Sequence, residues 1–275
     1  MKLLQALVWA ALAVALLVGG IQTAVQQRWA LPLILQAEAF EAARVPLDPA
    51  SVSHDGHQHS ADGQGAPAAH DHHTADAMAE TWAPENGAER TFWTWVANTL
   101  HAFGMAQLAL VALGFWVWRH GTGVSAWALG LGVAAAGFIS LHLWPALGLP
   151  AEMPGLDAAR LGSRQGWWLL AAGSALAACA VLAASRAAWR WPAAAALLAL
   201  PLLVGAPHLT GDPLTGHSAA AQIALRALGQ QFILTTHAIA VSLWLSLGLA
   251  SGWAFVRWVQ PQVATGVQKP TASSP

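Results

Sequence analysis

Charged residues are scarce in this chain. They make up only 9% of the 275 residues, whereas an average soluble domain has roughly 25%. Hydrophobic residues make up 56%, which indicates an integral membrane protein in contact with lipid. The formal net charge is −1, so the positive excess with which proteins bind nucleic acid is missing.

The chain has one cysteine and no tyrosine. The single cysteine, Cys179, lies inside an apolar run, which excludes a disulfide framework and a thiolate metal site. There is no tyrosine but there are 16 tryptophans. Tryptophan alone must therefore supply the aromatic belt at the membrane surface.

Sequence motifs of common enzyme classes are also missing. The chain has no GxxxxGK[ST] phosphate-binding loop, no HExxH zinc-protease motif and no GxSxG nucleophile elbow. We therefore do not expect an enzyme, and we expect no bound cofactor.

The sequence contains six long apolar runs. Each is long enough, or nearly so, to cross a hydrocarbon core about 30 Å thick. The six runs are 3–25, 92–118, 124–144, 166–185, 188–206 and 230–256. They predict an all-α, polytopic membrane protein of about six transmembrane helices. A total of five is the alternative, because Pro192 and Pro201 interrupt the fifth run.

These runs divide the chain into four parts. Residues 1–25 are the first transmembrane helix, which we take as an uncleaved anchor because a signal peptide has a shorter apolar core, about 7–15 residues. Residues 26–91 form a long loop that begins with an interfacial helix at 29–41. Residues 92–256 form a bundle of about five helices, and residues 257–275 form a polar tail.

The charges predict the orientation. With six spans, one side of the membrane carries its basic residues in short segments, and these are Lys2, Arg119, Arg186, Arg190, Arg257 and Lys269. Every Asp and Glu falls on the other side. By the positive-inside rule the N-terminus and the tail are cytoplasmic, the long loop is periplasmic, and the chain lies in the cell inner membrane.

The long loop contains a histidine-rich segment, residues 54–73, with the sequence HDGHQHSADGQGAPAAHDHH. Its histidines are His54, His57, His59, His70, His72 and His73. Imidazole is the commonest protein ligand for divalent first-row metals, and carboxylates supplement it. The composition has no apolar periodicity and predicts disorder. We interpret the segment as a metal-capturing arm for cobalt, nickel or zinc.

Four further histidines are predicted to lie in the outer half of the membrane. They are His101, His142, His208 and His237. Ionisable groups inside a bilayer are costly and usually face a bundle interior or a water-filled cavity. We therefore propose a metal path below the His-rich segment. For His101 and His237 a hydrogen-bonded structural role is an equal alternative. His142 and His208 favour function because each adjoins a Pro/Gly break.

Acidic residues are predicted at the mouth of this path. Glu38, Glu41, Glu89 and Glu152 would make it attractive to cations. Arg164 and Gln165 belong either to the mouth or to lipid-facing anchors, and the sequence leaves these two readings equal.

Several stretches resemble the CbtA family, the proposed cobalt transporter membrane subunit. Three of them are QQRWALPLILQAEAFE after the first span, WAPENGAERT before the second and FISLHLWPALGLPAEMPG at the exit of the third. LGSRQGWW and LLVGAPH complete the set. One departure is Trp144, which stands before Pro145 where a small residue is more usual.

This resemblance implies a polytopic inner-membrane subunit. It implies a small single-span partner with its own histidine motif, called CbtB, and a link to cobalt supply for cobalamin synthesis. Members are often described with five spans. The leading hypothesis is thus uptake of a divalent transition-metal cation, with cobalt favoured by the resemblance. The membrane potential could drive entry, at about 2.3 kcal/mol per charge per 100 mV.

Two alternatives come from other functional classes. A membrane redox protein could hold haem between His101 and His237, since haem needs axial ligands at matching depth. A metal sensor or assembly protein would bind the ion without transporting it. Soret absorbance and metal flux, respectively, separate these from a transporter.

Overall fold

A computed structural model describes residues 2–43, 84–154 and 156–267. Every regular element within these ranges is helical. The first half has α1 (Lys2–Trp29), α2 (Leu31–Ala42), α3 (Ala88–His120) and α4 (Ala126–Phe138), the last continued by a π-helical turn, Ile139–Leu143, and a short helix α5 (Trp144–Ala146). The second half has α6 (Leu161–Ala184), α7 (Arg190–Val204), α8 (Ala219–Ala254), a second π-helical turn (Phe255–Val259) and α9 (Gln260–Val267).

Five of these helices are long and apolar enough to cross a membrane. They are Lys2–Trp29, Ala88–His120, Ala126–Ala146, Leu161–Ala184 and Ala219–Val263. The all-α, polytopic membrane fold expected from the sequence is confirmed. The last spanning helix begins at Ala219, well before the expected residue 230. A helix, α2, covers Leu31–Ala42, close to the helix expected at 29–41.

The fifth expected span, at 188–206, is shorter than a full crossing. Helix α7 has 15 residues, which is about 22 Å at 1.5 Å per residue. It ends at Gly205, whose φ of 80° suits a residue without a Cβ. It nevertheless runs back along α6, because the indole of Trp167 donates to the carbonyl of Pro201. The five-helix alternative therefore describes the full-length spans, and α7 adds a short return.

This return places both termini of the bundle on one side. The segments 147–160 and 205–218 meet where the amide of Asp157 donates to the carbonyl of Pro213. Both also join α2 and the start of α8 in one apolar cluster. We call this cluster the loop-side cap, and it consists of Leu33, Ala37, Phe40, Met153, Leu156, Leu214, Leu225, Leu228 and Phe232. We call the opposite side, with residues 121–125, 185–189 and α9, the tail side.

Small residues allow α4 and α8 to pack closely. Gly130 lies against the backbone of Gly248 and Gly252. Further towards the loop side, Ala134 meets Gly248 and Gly137 meets the indole of Trp244. Small residues at such interfaces are typical of membrane helices, since packing and not hydrophobicity drives their association. These contacts between the two antiparallel helices fix their register.

Candidate metal centre in the membrane

The π-helical turn places His142 on the α8-facing side of its helix. The contacts of Gly130, Ala134 and Gly137 follow an α-helical spacing of 3.6 residues, which would bring residue 141 to α8 next. The π turn inserts an extra residue, and the amide of Trp144 donates to the carbonyl of Ile139. Pro145 follows and has no N–H to donate. Residue 142 therefore takes the facing position, and π turns of this kind are frequent at functional sites.

His142 meets His237 of α8 directly. His142 Nε2 and His237 Nδ1 are 2.9 Å apart and share a hydrogen bond, with the ring centroids 5.0 Å apart and the planes at 83°. The ring of Phe138 stacks on His142 at 5.6 Å. Two nitrogen ligands about 2.1 Å from a metal ion and at a right angle lie about 3.0 Å apart. The spacing of the histidine pair, His142 and His237, therefore suits two adjacent positions on one metal ion.

A cavity of about 470 Å³ opens beside the histidine pair. Its walls come from the end of α1, the start of α2, the start of α3 and the middle of α8, together with His142. Arg90 also lines it, and its guanidinium forms a two-point ion pair with Glu38 of α2, at 2.7 Å and 3.4 Å. The ion pair neutralises the cation nearest to the cavity and joins α2 to α3.

A polar network extends from the cavity into the bundle. Gln26, which lines the cavity, exchanges two hydrogen bonds with Asn98 of α3, at 3.0 Å and 3.2 Å. Asn98 Nδ2 also donates to the hydroxyl of Thr23. One turn closer to the tail side on α1, Gln22 Nε2 donates to the hydroxyl of Ser242 on α8. Sequence reasoning missed these residues, although Gln22 and Gln26 stand four apart in a strongly apolar helix.

The other membrane histidines lie apart from the pair. His101 is exposed on α3, and His208 is exposed in the segment after α7. The six histidines of the His-rich segment lie outside the described residues. The haem alternative requires His101 to face His237, but His237 is hydrogen-bonded to His142 and His101 is exposed. Of the four membrane histidines, the structure thus brings together His142 and His237.

The expected mouth residues all lie on the loop side. Glu38 is paired with Arg90, and Glu152 is paired with Arg164 at 2.7 Å. Glu41, Glu89 and Gln165 are exposed. The remaining described acidic residues, Glu85, Asp157 and Asp212, lie on the same side. This face therefore carries the negative charge of the described chain.

Among the described residues, the histidine pair has no third strong ligand of the usual kinds. Within residues 2–43, 84–154 and 156–267, no group of three or more His, Cys, Asp or Glu side chains could hold one metal ion. A cation held by His142 and His237 would complete its coordination with water, neutral oxygen atoms or a group from another chain. Conduction requires sites from which an ion can leave, and two imidazole ligands hold an ion less tightly than a complete set of four.

Comparison with known protein families identifies a match for this chain. No curated protein and no solved structure matches the chain. A family model does match, over residues 4–256, and its description is "Probable cobalt transporter subunit (CbtA)". The match contains the His-rich segment and the histidine pair, and it covers the five long helices except for residues 2–3 of the first and 257–263 of the last. The chain therefore belongs to the CbtA family of probable cobalt transporter subunits.

Proposed function

We propose that this chain carries a divalent transition-metal cation, with cobalt the best-supported cargo, from the loop side of the membrane to the tail side. The observation that carries this proposal is the pair of imidazole nitrogens 2.9 Å apart within the bundle, beside a cavity on the acidic side. Imidazole suits cobalt, nickel and zinc alike. The preference for cobalt comes from the family description.

The proposed path has three stages. Residues 54–73 capture the ion and raise its concentration near the acidic loop side, with His208 as a candidate ligand at the entrance. The ion then enters the cavity between α1, α2, α3 and α8, and reaches His142 and His237. A partner chain completes the transporter, since the family consists of subunits. We propose a small CbtB-like, single-span partner for this place.

The proposed orientation puts the tail side in the cytoplasm. The described basic residues of that side have no acidic residue near them in the chain, and they are Lys2, Arg119, Arg186, Arg190 and Arg257. The positive-inside rule therefore applies. In a Cys179→Ala background, we expect Thr210→Cys on the loop side to react with a membrane-impermeant maleimide in intact cells. Thr122→Cys, exposed at the tail side, is expected to react only after lysis. The reverse pattern would contradict the orientation.

Cobalt uptake into cells tests the proposed function. Cells that express the chain with its partner are expected to accumulate more radiolabelled cobalt than cells with an empty vector. Removal of residues 54–73 is expected to raise the half-saturating cobalt concentration without abolishing uptake, because capture precedes the membrane path. Wild-type uptake no greater than that of empty cells, with nickel and zinc behaving likewise, would rule out transport.

A further inference from the structure

Gln22 has a buried amide oxygen for which the described part of the chain offers no hydrogen-bond partner. Its side chain lies inside the bundle, with 2% of the residue exposed, and its Nε2 donates to Ser242 at 3.2 Å. No donor among residues 2–43, 84–154 and 156–267 reaches its Oε1. Buried polar atoms are almost always paired, because an unpaired one costs the full penalty of its lost hydration. An unpaired amide oxygen inside the bundle is therefore a candidate ligand atom for a cation.

The neighbouring amides do not share this property. Gln26 and Asn98 use both terminal atoms on each other, and the hydroxyl of Thr23 accepts from Asn98 and donates to the carbonyl of Gly19. A second unpaired buried oxygen, Oγ1 of Thr99, lies on α3. Its helix approaches α1 at Gly19, where a Cβ would stand 2.8 Å from the Cα of Thr99. These two unpaired oxygens lie on α1 and α3, on the tail side of the hydrogen-bonded group formed by Gln26, Asn98 and Thr23.

Gln22 lies on the tail side of the cavity, one helical turn from a residue that lines it. Gln26 lines the cavity, and Gln22 follows one helical turn towards the tail side on the same face of α1. Its partner Ser242 lies five residues beyond His237 on α8, which is about 7.5 Å along the helix axis. An ion that leaves the histidine pair towards the tail side would reach this level next.

We propose that Gln22 Oε1 is a ligand for the transported divalent cation at a second site below the histidine pair, an inference that rests on the proposed transport function. The site is made of neutral oxygen atoms, which hold a borderline metal ion less tightly than imidazole does. Transfer from nitrogen to oxygen ligands weakens the hold on the ion as it moves inward. Conduction needs such a sequence of sites from which the ion can leave.

Substitution of Gln22 tests this proposal. Gln22→Met keeps the length and volume of the side chain but removes the oxygen, whereas Gln22→Glu keeps an oxygen at either terminal position. At low cobalt, we expect Gln22→Met to lower the initial rate of uptake by about tenfold or more, the effect of losing one strong polar contact to a charged group. Gln22→Glu is expected to retain uptake. Gln36→Met, at an exposed glutamine of α2, is the matched control and is expected to behave as wild type.

The outcomes separate this inference from the transport function. Rates are compared at equal amounts of membrane protein, so that a folding defect does not count as support. If Gln22→Met transports as wild type while His237→Ala does not, the second site is wrong and the transport function stands. If Gln22→Glu loses as much uptake as Gln22→Met, the amide has a structural role and the proposal is overturned. If wild type itself takes up no cobalt, both proposals fail together.

Discussion

Replacing His237 with alanine is expected to lower cobalt uptake by a factor of ten to a hundred or more. His237 Nδ1 lies 2.9 Å from His142 Nε2, so the substitution removes one of the two proposed nitrogen ligands and leaves the other alone. Loss of even an outer partner of a metal ligand typically costs about 10–100-fold in affinity or activity. His142→Ala is expected to have the same effect. The measurement is the initial rate of radiolabelled cobalt uptake at equal protein abundance.

His101→Ala is the matched control for this experiment. His101 lies in a membrane helix, as His237 does, but it is exposed. We expect His101→Ala to transport cobalt as wild type does. Equal losses in His101→Ala and His237→Ala would mean that the histidine pair has no special role. Full activity in both pair variants would assign the membrane path to other residues.

The second large effect concerns the packing that holds the histidines together. Gly130→Leu is expected to destabilise the protein by about 3 kcal/mol or more, at the upper end of overpacking costs. A Cβ at position 130 would stand 2.5 Å from the carbonyl oxygen of Gly248 and 3.2 Å from the Cα of Gly252. These are backbone atoms, which cannot rotate away. Helices α4 and α8 must therefore separate, and His142 must move away from His237.

Gly132→Leu provides the control on the same helix. Gly132 is exposed, and a Cβ there would meet no atom within 4 Å. Both substitutions gain the same helix propensity over glycine, so the difference between them isolates the packing term. We expect a lower thermal unfolding midpoint in detergent, together with lost uptake, for Gly130→Leu only. Equal midpoints would show that the α4–α8 contact does not need a small residue at position 130.

The membrane fold could be predicted from the sequence because span length and hydropathy are local properties. Five of the apolar runs correspond to helices long enough to cross the bilayer. Hydropathy did not give the length of the helix in the run at 188–206. Its helix stops at Val204, before Gly205, and its return along α6 depends on the contact between Trp167 and Pro201. Such a contact between distant segments is not visible in a hydropathy pattern.

The histidine pair could be predicted only in part. Depth in the membrane makes both His142 and His237 candidates, but their pairing depends on the small-residue contacts between α4 and α8 and on the π turn. The π turn shifts the facing position from residue 141 to residue 142. A strict 3.6-residue period would have pointed to Leu141 instead.

The exposed position of His101 could have been predicted from the residue sizes on the two faces of α3. The buried face of α3 is lined by Ala102, Ala106, Ala109, Leu110 and Leu113. His101 belongs to another stripe, which continues at helical spacing through Gly104, Leu108, Val111, Phe115 and Trp118, and that stripe is exposed. Small residues on one face and large apolar ones on the other indicate which side packs in a membrane protein. The contrast between these two faces would have placed His101 outside the bundle.

Cobalt-edge X-ray absorption is the most direct test of the proposed metal centre. The sample is the purified chain without residues 54–73, loaded with cobalt(II), so that the ligands of the His-rich segment do not contribute. We expect the spectrum to show two imidazole ligands on the bound ion, and one in His237→Ala. A spectrum with oxygen ligands alone, unchanged by His142→Ala and His237→Ala, would contradict a metal centre at this pair.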